Sequence, residues 1–99
     1  MHPVYVYISD IHSEVYDLHN HITQRGMSAQ VRFGSRGGPV NPPHSQPQIA
    51  LLQVQDPTVL RAIADLLQRM NKTALVTPIG QPNQQWLRIE DYIRWQGIA

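Results

Sequence analysis

Cysteine is absent from this chain. That excludes disulfides, thiolate metal sites and cysteine nucleophiles, and it suits a reducing cytoplasm. Charge is scarce as well: 15% of the residues are Asp, Glu, Lys or Arg, and the formal net charge is +1. So small a net charge gives no overall pull toward nucleic acid or an anionic membrane and leaves room only for a local basic patch. No apolar run approaches the roughly 18–20 residues of a membrane span. The opening Met1-His2-Pro3-Val4 has no basic stretch running into an apolar one, so no signal peptide is expected. What is present is apolar enough to fold. Hydrophobic residues make up 41% of a 99-residue chain, which fits one domain with one modest core rather than a disordered segment. The expectation is a single soluble, cytoplasmic domain over residues 1–99.

The first half alternates strand and helix signals. Residues 4–8, VYVYI, are β-branched and aromatic and read as a strand. Ser13 offers a hydroxyl to cap a following helix, with Glu14 and Asp17 near its positive end. Val15, Leu18 and Ile22 recur at helical spacing, and Gly26 is placed to stop the helix. From Met27 to Phe33 apolar and polar residues alternate, which is the pattern of a half-buried strand. Residues 34–47 are rich in Gly, Pro and small polar side chains and read as a long mobile loop.

The second half repeats the order. Residues 49–54, IALLQV, form a nearly all-apolar strand. Asp56-Pro57 is a strong helix start, because Asp caps and Pro fixes the first helical φ. Val59, Leu60, Ile63, Ala64, Leu66, Leu67 and Met70 then share one face, while Arg61, Asp65 and Arg69 lie outside at spacing four. Asn71 suits a left-handed stop. Residues 73–77 read as a fourth strand, ended by Pro78. The order βαββαβ predicts an α+β, ferredoxin-like two-layer sandwich with both helices on one face. Residues 84–99 read as an aromatic strand/helix extension, either a fifth strand at 85–89 or a helix over 87–96 stopped by Gly97; the favoured reading is a short strand or extended piece followed by a helix from about Glu90.

The chemistry-bearing residues do not assemble into a motif. His12, Tyr16 and His19 share a helix face, and His19 and His21 diverge on it. With Asp17 and His44 they lack the spacing of a zinc site, so no metal is expected. Ser9, Asp10 and His12 are neighbours in sequence, which is not how a triad is built. Gly34-Ser35-Arg36-Gly37-Gly38 could cradle an anion, but it lacks the P-loop lysine and leads into prolines. No cofactor is expected. Sheets that stack RNA bases carry aromatics on the first and third strands. Here the first strand offers Tyr5 and Tyr7, while the third offers Ile49, Leu51 and Gln53.

The informative feature is strand alternation. If Val4, Val6 and Ile8 face the helices, Tyr5 and Tyr7 face away, joined by Ile49, Leu51, Gln30 and Arg32. A wet apolar face of that size is unusual and calls for a cover. The cover is either the tail, through Trp86, Leu87, Ile89, Tyr92, Ile93 and Trp95, or a partner. The leading expectation is a non-catalytic protein-binding or regulatory module: an adaptor, inhibitor or homodimer contacting its partner through Tyr5, Tyr7, Arg32, Arg36, Ile49, Leu51, Trp86, Tyr92 and Trp95. The alternatives are a small RNA- or single-stranded-DNA-binding protein using Tyr5, Tyr7 and the Arg32–Arg36 edge, and a histidine-based enzyme or metal protein. No membrane partner is expected.

Overall fold

The computed structural model describes residues 2–35, 48–80 and 85–97. Among these residues the chain forms β1 (Val4–Tyr7), α1 (His12–Gln24), β2 (Gln30–Ser35), β3 (Gln48–Val54), α2 (Pro57–Arg69), β4 (Leu75–Pro78), β5 (Leu87–Arg88) and α3 (Ile89–Gln96). The five described strands make one sheet in the order β2-β3-β1-β4-β5, and every neighbouring pair is antiparallel. The protein is therefore α+β, as the sequence predicts. The C-terminal extension is a short strand followed by a helix, and β5 makes the sheet five-stranded by adding to the outer side of β4 through the pairs Leu75–Arg88 and Val76–Leu87.

Local chemistry explains most boundaries. Asp56 is extended and its carboxylate accepts the Thr58 amide at 2.8 Å, with Pro57 opening α2. Asn71 follows α2 at φ +57°, and Gly97 ends α3 at φ +68°. The α1 start departs from expectation. Ser13 lies inside the helix, and the N-cap is Ile11, whose side chain has no oxygen to offer. Ser9 has already used its hydroxyl to accept the Ile11 amide at 3.0 Å, closing the turn one step earlier. The expected loop also starts later than residue 34. Gly34 and Ser35 continue β2, opposite Ile49 and Gln48, because β3 begins at Gln48 and the antiparallel register carries its partner along. The rest of that loop, residues 36–47, lies outside the described residues.

All three described helices lie on one face. Val15, Leu18 and Ile22 of α1, Val59, Leu60, Ile63, Leu66 and Leu67 of α2, and Ile89, Tyr92 and Ile93 of α3 form one buried cluster with Val4, Val6, Ala50, Leu52, Val54 and Val76 of the sheet. The tail helix is thus part of the main core and is not a lid over the opposite face. The reason is strand alternation. Leu87 packs with the helix-side core while Trp86 joins the other side, and the chain turns into α3 directly after β5, on the side of Leu87.

Candidate functional site

The face away from the helices carries the second apolar cluster. Tyr7, Ile49 and Leu51 are buried in it, and Tyr5, Leu75 and Trp86 pack against them while keeping part of their surface in solvent. Register builds this group. Tyr5 and Tyr7 alternate with Val4 and Val6 on β1; Tyr7 lies opposite Leu75, and Tyr5 lies opposite Gln53 on one side and Thr77 on the other. Trp86 meets Tyr7 edge to face, with ring centroids 6.2 Å apart, an arrangement that favours the ring quadrupoles. The Tyr7 hydroxyl donates to Asp10 Oδ1 at 2.5 Å. Burial, together with that bond and the carboxylate's charge, pushes the phenol well above its ordinary range.

Arginines frame the cluster. Arg32 lies opposite Leu51 on β2, and Arg88 lies opposite Leu75 on β5. Arg32 is held down on the sheet: its Nε donates to Gln53 Oε1 at 3.1 Å and its Nη2 to Gln30 Oε1 at 2.6 Å. Arg88 pairs with Glu90 at 3.6 Å in the open. Thr77 is buried on the same face, and its hydroxyl has no hydrogen-bond partner among the described residues.

Of the residues singled out from sequence, the fold brings Tyr5, Tyr7, Ile49, Leu51, Trp86 and Arg32 onto one face. It sets Tyr92 and Trp95 apart from them. Tyr92 is 2% exposed in the helix-side core, where burial raises its phenol above the ordinary range. Trp95 is 71% exposed and touches only the edge of Tyr92, at 6.3 Å between centroids, among the ring contacts of described residues. Arg36 lies outside the described residues. Sequence reasoning missed Leu75 and Arg88. Leu75 was concealed because Thr73-Ala74-Leu75-Val76-Thr77 fixes no starting phase, and Arg88 because β5 is too short to show a period.

The other candidate residues are spoken for locally. Ser9 closes the turn before α1, Asp10 accepts from Tyr7, and the exposed His12 ring meets Phe33 edge to face at 5.8 Å. His19 Nε2 lies 2.9 Å from the Ala29 carbonyl, and since a carbonyl only accepts, the ring nitrogen there carries its proton. Among the described residues no group of three or more His, Cys, Asp or Glu converges to hold a metal ion. His44 lies outside them. A cleft of about 510 Å³ opens between the end of α2 and the start of α3, lined by Arg61, Asp65, Gln68, Lys72, Glu90 and Arg94 among others. Its charges are mixed in sign, and Arg61 and Asp65 pair across one helical turn at 3.5 Å. Among the described residues no helix is long and apolar enough to cross a membrane. No protein-family model matches the chain, and no curated protein and no solved structure is significantly similar to it.

Proposed function

We propose that this chain is a small non-catalytic protein-binding module, serving as an adaptor, an inhibitor or a homodimerising domain through apolar and aromatic surface. One observation carries the reading. The sheet face opposite the described helices has Tyr5, Leu75 and Trp86 partly open to solvent over a buried Tyr7–Ile49–Leu51 base. Rigid aromatic side chains beside arginine, on a strand scaffold, are the residue types that anchor protein interfaces. A cytoplasmic setting is part of the proposal and is supported by the absence of cysteine. A ferredoxin-like unit is proposed for the first four strands with α1 and α2. It is supported by their order, which runs β4-β1-β3-β2 when read from β4, with β5 and α3 added at the β4 edge.

Single-stranded nucleic acid is the second reading, favoured by Arg32 and Arg88 at either side of Tyr5 and Trp86 on the same face. The burial of Tyr7 and the tethering of Arg32 to Gln30 and Gln53 weigh against it, since base stacking and phosphate contact need both free. Affinity capture on immobilised chain, with nuclease present, should retain a specific protein that the Tyr5→Glu chain fails to retain. Identical capture by both chains would defeat the protein-binding reading. Retention of single-stranded oligonucleotide that falls steeply with salt would favour the second.

A further inference from the structure

We propose that two copies of this chain join edge to edge, β2 pairing antiparallel with the partner's β2 about a two-fold axis midway between the two Phe33 residues, so that the two sheets become one. The inference goes beyond the protein-binding reading: it uses the outer edge of β2 rather than the sheet face of Tyr5 and Trp86, and its occupant is a second copy.

The first ground is the edge itself. Strand β2 is six residues long and pairs on one side with β3; among the described residues its other side has no strand partner. A row of amides and carbonyls without a strand partner is a template for another strand. Proteins that stay apart usually protect it with lysine, proline or an outward charge. Residues 30–35, QVRFGS, contain neither lysine nor proline. Their one charged side chain, Arg32, is folded back over the sheet onto Gln30 and Gln53 and does not guard the edge. The opposite edge of the sheet, β5, has only two residues and turns straight into α3.

The second ground is what flanks the edge. Phe33 is 50% exposed and leans on His12 of α1. Tyr16, 42% exposed, follows His12 by one helical turn and so stands on the same flank of α1. Phe33 and Tyr16 are two of the five large hydrophobic side chains left exposed among the described residues.

The third ground decides the occupant. A two-fold axis relating antiparallel edge strands stands perpendicular to the sheet, so facing residues share a face and the register must centre on a residue. Only two centres pair five residues of the strand with described strand residues of the other copy. Centring on Arg32 sets two guanidiniums directly opposite, which is unfavourable. Centring on Phe33 sets Phe33 opposite the partner's Phe33, Arg32 opposite the partner's Gly34 and Val31 opposite the partner's Ser35. The strand is thus complementary to itself in one register, with an aromatic pair at the axis and no like charges facing.

Sedimentation of the intact chain over a range of concentrations tests this. A monomer–dimer equilibrium is expected, with the dissociation constant raised by roughly tenfold or more in Phe33→Glu, because two carboxylates would then face each other. Met70→Glu, exposed beyond α2, is the control. Should Phe33→Glu fail to fold, Phe33→Cys gives an independent reading in a chain with no other thiol. A short bifunctional thiol reagent should join two Phe33→Cys chains and leave two Trp95→Cys chains separate. A dimer untouched by Phe33→Glu and dissociated by Tyr5→Glu would overturn the edge pairing and leave the protein-binding reading standing. A chain monomeric at every concentration, with Phe33→Cys uncrosslinked, would overturn the inference outright.

Discussion

Tyr7 lies against Trp86 on the sheet face opposite the described helices and turns its hydroxyl to Asp10. Loss of its proton would bury a phenolate beside a carboxylate, so the folded chain holds that proton more tightly than the unfolded chain does. The stabilisation is complete below the unfolded phenol value of about 10 and is lost as pH rises through the higher folded value. Urea midpoints should therefore fall as pH rises above about 10. Tyr7→Phe should cost about 1 kcal/mol at neutral pH for the lost hydrogen bond and should flatten that alkaline decline. Flattening rather than abolition is expected, because Tyr92 is shifted in the same direction. An unchanged alkaline slope in the variant would contradict this placement of the hydroxyl.

At the scale of elements, the two long helices are secured differently. The start of α2 has a side-chain cap in Asp56 and a proline at its first position. The start of α1 has no side-chain cap bond among the described residues. It is fastened from outside, where Lys72, just past α2, donates to Glu14 at 3.0 Å. Lys72 and Ser9 together hold the Glu14 carboxyl below its ordinary range. Asp56→Ala should cost about 1 kcal/mol in urea unfolding, the usual cost of a lost cap. Ser13→Ala should lie within about 0.5 kcal/mol of the parent, since an exposed helical serine makes no cap there. Equal losses at the two positions would mean that α1 starts where Ser13 could cap it.

For the whole molecule, the decisive feature is that α3 shares the core of α1 and α2. Tyr92 and Ile93 are buried in that core, and the Ile89 amide donates to the Ala74 carbonyl at 3.0 Å, tying the start of α3 to the chain entering β4. Removing residues 90–99 should take out at least the roughly 3–5 kcal/mol of one large aromatic. Against a total stability of about 5–15 kcal/mol, the truncated chain should melt earlier and bind a hydrophobic dye through its opened helix-side core. A truncated chain with unchanged melting and no dye binding would show that α3 is dispensable to that core.

The sequence by itself determined the elements whose causes are local. Asp56-Pro57 opened α2, Asn71 and Gly97 closed α2 and α3, and the alternation of Val4-Tyr5-Val6-Tyr7 put both tyrosines opposite the helices, with Ile49 and Leu51 beside them. A period of two or of 3.6 needs only a few neighbouring residues to declare itself. The tertiary structure decided what depends on residues far apart in the chain. The register with β3 drew Gly34 and Ser35 into β2, and Ser9 took the turn that Ser13 was expected to cap. Two residues, Leu87 and Arg88, paired with β4 and so sent α3 to the helix side. That choice separated Tyr92 and Trp95 from Tyr5 and Trp86 and brought Arg88 to the sheet face, beside Leu75, which the register of β4 with β1 had placed opposite Tyr7. A strand of two residues carries no period of its own, and only pairing with a distant neighbour assigns it a face.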